Sequence, residues 1–290
     1  MTQSTRVSSG VHWPEPVLDR LADARGDVGV LSTLASSARV LVVDESGSFR
    51  VHRDDAGLRL AGETESFDPR AHVLVGRIPG GVWLARRGHV DGESATLRDA
   101  GLDPAERQVA ETAVALLTWH RGDPVCDRCH EATAWVPGGG TRRCEEGHDN
   151  FPRTDPAVIV AITDSSDRLL LAHQVTWPVG RCSVLAGFVE AGESAEAAVL
   201  REINEEVGLD VHSVRYLHSQ PWPFPRSLML AFAARGDGPL RPDGHEIEWA
   251  RWFTRDELAR DLADQRIQLP GNASIAGRML HLWRSGELWT

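Results

Sequence analysis

The stretch that most constrains this chain is 187–209, GFVEAGESAEAAVLREINEEVGL. Glu202, Glu205 and Glu206 recur at i, i+3 and i+4, so a helix through them sets three carboxylates on one face, within ~6 Å of each other. At an effective dielectric of ~20, two like charges ~6 Å apart repel by roughly 3 kcal/mol. Arg201 can relieve Glu205 at i+4, which leaves Glu202 and Glu206 wanting a cation. Hard carboxylate oxygens at this spacing suit Mg2+ or Mn2+. Ala197, Leu200, Ile203 and Val207 are expected to bury against a sheet, with Ser194 as N-cap and Gly208 as C-cap. The sheet is expected from apolar runs at 157–163, 169–173, 183–189, 214–218, 228–234 and 247–253. With helices over 194–207, 255–265 and 275–285, residues 153–290 read as an α/β domain; Thr254 and Glu257 form a capping box.

Upstream, residues 1–120 read as an α+β unit. β-rich runs lie at 39–43, 49–52, 72–78 and 81–86, and a helix starts at Asp103-Pro104 with Val109, Ala113, Leu116 and Leu117 at helical spacing. No motif there carries chemistry, so a scaffold or dimerisation role is expected. Residues 121–152 are too short for a core. They hold Cys126-x2-Cys129, a glycine-rich turn, Cys144 and His148, with His130 as a competing donor. Four such donors in pairs suit tetrahedral zinc. The fourth cysteine, Cys182, reads as a core thiol.

Composition excludes several classes. All 31 Lys+Arg residues are arginine, which removes lysine Schiff-base chemistry and the P-loop lysine. A net charge of −11 argues against a general grip on nucleic acid. The N-terminus has no apolar core of a signal peptide and no run reaches ~20 apolar residues, so a cytoplasmic protein without membrane contact is expected.

A second motif, Ser219-Gln220-Pro221-Trp222-Pro223-Phe224-Pro225-Arg226-Ser227, follows ten residues after Leu209. Three alternating prolines remove three N–H donors and forbid a central strand. A stiff, polyproline-like segment is expected, holding Trp222 and Phe224 as a wall for a flat ligand.

Gly187, Glu193, Arg201, Glu202, Ile203, Glu205, Glu206, Gly208 and Leu209 satisfy every fixed position of G-x5-E-x7-R-E-U-x-E-E-x-G-U, where U is aliphatic. The chain therefore resembles the Nudix hydrolases. The SQPWPFPxS segment, the cysteine cluster and the extra N-terminal domain are similar to the NAD(H) pyrophosphatase subgroup, the NudC type. That resemblance implies a Nudix α/β/α sandwich preceded by a zinc ribbon, divided as 1–120, 121–152 and 153–290. It implies metal-dependent hydrolysis of NADH or NAD+ to nicotinamide mononucleotide and AMP, with removal of 5′ NAD caps from RNA as the same chemistry. An ADP-ribose or other dinucleotide pyrophosphatase, or a catalytically silent nucleotide-binding regulator, are the alternatives.

The resemblance also places residues. Glu202, Glu205 and Glu206 match catalytic and metal positions, the Ala186 carbonyl and Glu246 match further Mg2+ or Mn2+ ligands, and Glu248 competes with Glu246. Cys126, Cys129, Cys144 and His148 match the structural zinc ligands. Gln220, Pro221, Trp222, Pro223, Phe224, Pro225, Arg226 and Ser227 match the substrate loop. Phe151 and Phe188 match aromatic positions that stack on a base, one from each subunit of a homodimer. Ala276 and Arg98 match further substrate contacts. Two positions depart from the pattern: the second ribbon pair is Cys-x3-His where Cys-x2-Cys is commoner, and Ala134 replaces an acidic residue before Trp135.

Overall fold

A computed structural model describes residues 15–98, 100–122 and 125–290, arranged in two compact units. Among the described residues the first comprises those within 15–154 together with Trp222–Arg226. Its sheet runs β3 (Gly57–Leu60), β2 (Phe49–Asp54), β1 (Arg39–Val43), β5 (Gly81–Arg87), β4 (Val73–Ile78), with β6 (Ser94–Ala95) also on β2. Only β1 and β5 pair in parallel in this sheet. Both faces are covered, because the strands carry apolar residues at successive positions. Leu41, Val43, Val73, Val75 and Trp83 face α2 (Pro104–Trp119), while Val40, Leu74, Val82 and Leu84 pack with α1 (Val28–Ala35).

Sequence reasoning does not expect α1, and its composition explains why. Val28, Gly29, Val30 and Thr33 are weak helix formers. The helix is held instead by the Asp27 carboxylate, which accepts from the Gly29 and Val30 amides at 2.8 and 3.0 Å, and by burial of Leu31 and Ala35. The helix expected from Asp103-Pro104 forms as anticipated, with Asp103 capping the Ala105 amide. A three-stranded ribbon, β7 (Thr133–Trp135), β8 (Arg142–Cys144) and β9 (Asp149–Asn150), follows it.

The second unit comprises Asp155–Pro221 and Ser227–Thr290. Its sheet order is β13 (His212–Trp222), β14 (Ser227–Arg235), β10 (Asp155–Thr163), β11 (Leu169–Gln174), β15 (Ile247–Phe253), with β12 (Leu185–Phe188) also on β10. β10 is the spine. Val158, Val160 and Ile162 face α3 (Ala195–Val207), whereas Ile159 and Ala161 face α5 (Ile275–Ser285), so one strand feeds two cores. α4 (Arg255–Ala263) starts with the expected Thr254–Glu257 capping box. This is the expected α/β/α sandwich.

The proline segment corrects an expectation. β13 continues through Pro221 to Trp222 instead of entering a polyproline-like wall, and only 223–226 turn. The sheet tolerates Pro221 because β13 is an edge strand, where a missing N–H leaves no neighbour unpaired. Among the described residues, no helix is long and apolar enough to cross a membrane.

Candidate active site and metal centres

α3 positions the acidic cluster. Ser194 caps its start by accepting from the Ala197 amide at 3.2 Å. Gly208 ends it at φ 62°, a left-handed conformation that costs glycine little. The buried face, however, is Ala198, Val199, Ile203, Glu206 and Val207. Ala197 and Leu200, expected inside, are exposed, Leu200 at 47%. The helix is rotated from the face that the apolar spacing predicts, and the rotation carries a carboxylate into the core.

The three glutamates therefore differ. Arg201 donates to Glu205 at 3.0 Å as expected, but also to Glu202 at 2.9 Å and to both oxygens of Glu193 at 2.9 and 2.8 Å. Its remaining reach goes to the Phe188 carbonyl at 2.9 Å, tying β12 to the helix. Arg201 holds the Glu193 carboxyl down at about 2 through these hydrogen bonds. The residue left without a partner is Glu206 alone: it is 3% exposed and neither side-chain oxygen has a hydrogen-bond partner. Burial, then the charges of Glu246, Glu202, Asp243 and Glu205, push its carboxyl up to about 9. Burial also raises Glu202, against the pull of Arg201. A buried carboxylate facing acidic neighbours is the environment that a hard divalent cation relieves, so the residues present fit Mg2+ or Mn2+.

Gly187 in β12 abuts this cluster: a Cβ there would lie 2.0–2.2 Å from the Glu202 carboxylate atoms. Ala186 immediately precedes it on the same strand. Glu246 acts on both Glu202 and Glu206 through its charge, whereas Glu248 turns to His173 Nε2 at 3.2 Å. Sequence reasoning missed Asp243. Its amide donates to the Glu206 carbonyl at 3.1 Å, and its carboxylate accepts from the amides of His245, Glu246 and Ile247 at 2.8–3.3 Å. The Asp243-Gly244 turn sequence was the available signal.

In the other unit, the donor atoms of Cys126, Cys129, Cys144 and His148 lie within 4.8 Å of one another. Cys126 Sγ to His148 Nδ1 and Cys129 Sγ to Cys144 Sγ are each 3.7 Å. Tetrahedral zinc at ~2.3 Å from sulfur needs edges of about that length. Backbone N–H groups stabilise the thiolate form, with Cys129 first and Arg128 after it lowering Cys126 to about 6. His130 is not in the group; it takes a left-handed turn at φ 60°.

Residues 153–270 match the NUDIX domain family. A protein of Mycobacterium bovis named NAD-capped RNA hydrolase NudC is 39% identical over 292 aligned residues, covering 93% of each chain. One of the same name from Mycobacterium tuberculosis is also 39% identical at 93% coverage of each. The Pseudomonas syringae pv. syringae protein of that name is 41% identical over 63% of this chain and 65% of its own. The chain belongs to the NudC-type Nudix hydrolases.

Within this NudC-type chain the remaining expected residues have distinct settings. Gln220 is buried with both ends of its amide engaged, donating to the Ala273 carbonyl at 3.0 Å and accepting from the Ile275 amide at 2.6 Å. It thereby sets the start of α5, where Ala276 is buried. Ser227 is also buried. Pro223 is buried, and Pro225 and Arg226 are exposed. Trp222 and Phe224 meet edge to face at 5.3 Å, and Arg98 lies over both rings, 5.4 and 4.7 Å from their centroids. Phe224 also packs against the core of the first unit, near Gly47. Phe151 and Phe188 are 63% and 55% exposed, unusual for phenylalanine and suited to stacking.

Cys144→Ser is expected to abolish stoichiometric zinc binding and to lower the melting temperature of the protein, since the ribbon has too little apolar core to fold without the ion. Zinc analysis of purified wild type and variant, with thermal melts, checks this. Full zinc occupancy in the variant would contradict the ligand set.

Proposed function

We propose that this protein hydrolyses the pyrophosphate of NADH and NAD+ to nicotinamide mononucleotide and AMP, and removes the NAD moiety from the 5′ end of RNA by the same reaction. The observation that carries this is Glu206, buried and without a hydrogen-bond partner inside an intact 187–209 motif. The names of the mycobacterial relatives, 39% identical across 93% of the chain, support NAD-capped RNA as a substrate. The SQPWPFPRS segment favours NAD(H) over ADP-ribose.

In this reading Glu202, Glu206, Glu246 and the Ala186 carbonyl hold Mg2+ or Mn2+, with Glu205 beside them. The cation supplies neutralisation of the pyrophosphate oxygens and a lowered pKa of bound water. Arg201 keeps Glu202 and Glu205 in place by charge-assisted hydrogen bonds, so the acidic face does not fly apart before the cation binds. The carboxylates orient the attacking water and accept its proton. Water oxygen bonds to phosphorus, the bridging P–O bond breaks, and the bridging oxygen leaves with one nucleotide.

Residues 220–227 and Ala276 form the substrate loop and its support, with Arg98 stiffening Trp222 and Phe224. Phe151 and Phe188 stack on a base from the two subunits of a homodimer. Zinc on Cys126, Cys129, Cys144 and His148 is structural. A cytoplasmic setting fits four cysteines of which none is paired in a disulfide.

Incubation of the purified protein with NADH, NAD+, ADP-ribose and NAD-capped RNA, with Mg2+, Mn2+ or EDTA, tests the reading. Metal-dependent AMP and nicotinamide mononucleotide from NADH and NAD+, and 5′-monophosphate RNA from capped RNA, are expected. Faster turnover of ADP-ribose would transfer the assignment to that substrate. Intact substrates under every metal would leave a nucleotide-binding regulator.

A further inference from the structure

The geometry points to Gln174 as a positioning residue that orients the Glu246 carboxylate for the catalytic cation. This rests on the reading of Glu246 as a metal ligand. The device is a β-bulge. β11 and β15 pair antiparallel with His173 opposite Trp249, but Gln174 then stands opposite Ile247, so Glu248 is an extra residue on β15. In an unbroken ladder Gln174 would oppose Glu248. A bulge re-aims the side chains around it, and here it sorts two carboxylates onto two partners. Glu248 meets His173 at 3.2 Å, and Glu246 Oε1 accepts from Gln174 Nε2 at 3.0 Å.

The Glu246 backbone is pinned independently. Its carbonyl accepts from the Val175 amide at 3.0 Å, and its own amide donates to the Asp243 carboxylate at 3.1 and 3.3 Å. What these contacts leave free is the side chain, which is exposed and long enough to sample several rotamers. Gln174 removes that freedom by engaging one oxygen and leaving the other open. The donor is a neutral amide, so it directs Glu246 without cancelling its charge. A cationic side chain at that place would offset the negative charge that Glu246 offers the cation. Hydrogen bonds of this kind around a ligating carboxylate tune affinity through orientation.

The test uses the full-length, zinc-loaded protein and Mn2+ alone as probe, with bound ion counted by electron paramagnetic resonance. Gln174→Leu and Gln174→Ala are each expected to weaken Mn2+ binding roughly 3- to 10-fold, the loss of one exposed hydrogen bond to a charged acceptor. In a Glu246→Gln background the same substitutions are expected to change Mn2+ binding no further, a coupling that a general packing defect would not produce. Unchanged affinity in both single variants, or an equal loss in the Glu246→Gln background, would overturn the positioning role. If Glu246→Gln by itself leaves Mn2+ binding intact, the ligand assignment of Glu246 fails and the role of Gln174 falls with it. Thermal melts of each variant confirm that the folded protein is being titrated.

Discussion

Glu206→Gln is expected to lower kcat/KM for NADH by roughly 10^3-fold or more while making the metal-free protein harder to unfold. Both effects come from one placement. The carboxyl is 3% exposed, without a partner, and pushed up to about 9 by burial and then by its acidic neighbours. An unfolded glutamate ionises near pH 4.5. Between these values the metal-free folded state holds a proton that the unfolded state has released. The contribution of Glu206 to folding stability is therefore full below about pH 4.5 and is lost as pH rises toward 9. At pH 8 the penalty is on the order of 5 kcal/mol. Glutamine keeps the shape and stays neutral, so the decline should largely vanish. Thermal melts in EDTA across pH 5 to 9, paired with the product assay, read both arms. The same linkage makes the rise in Tm produced by Mg2+ grow with pH in wild type, because the cation displaces the proton, and stay flat in Glu206→Gln. A variant that keeps wild-type turnover, or a Mg2+ stabilisation independent of pH, would refute the assignment of Glu206.

Gly187→Ala is expected to cost roughly 10^2-fold or more in kcat/KM with only a small change in Tm. The added methyl would stand 2.0–2.2 Å from the Glu202 carboxylate, far inside contact distance. Backbone is not what obstructs it. The obstruction is the far end of a flexible side chain, so the fold survives by swinging Glu202 away. The cluster then loses the ligand that Arg201 holds at 2.9 Å, and weaker Mn2+ binding should accompany the kinetic loss. A destabilised protein with intact metal affinity would instead place the defect in β12.

How legible the molecule was depends on the kind of signal. Signals that lie within a few residues are read correctly: Ser194 and Gly208 bound α3, Thr254 and Glu257 cap α4, and Asp103-Pro104 opens α2. Each is a local hydrogen bond or a local torsion, specified by residues within one segment of chain. The cysteine cluster is legible for a similar reason, since few donor sets satisfy a tetrahedron. Signals that depend on what a segment leans against are read poorly. α1 has a composition unsuited to an isolated helix and exists because Leu31 and Ala35 bury. Pro221 reads as part of a polyproline-like segment beyond the strand, yet it is accommodated in β13 because that strand has a neighbour on one side only. Leu200 belongs to the apolar stripe by spacing and is exposed because the sheet meets α3 one residue further round.

Sequence alone determined the reagents: three glutamates at i, i+3 and i+4, an arginine beside them, a fixed glycine, and four soft donors in pairs. It could also place them on a helix and a ribbon, since periodicity and caps are properties of the chain itself. Only the tertiary structure decided which carboxylate is which. Arg201 closes around Glu193, Glu202 and Glu205, and the rotation of α3 onto β10, β12 and β15 buries Glu206 with no partner. The bulge at Glu248 then gives Glu246 to Gln174. Solvation and partner choice are set by what the helix packs against, and a one-dimensional pattern does not contain the angle at which it lands.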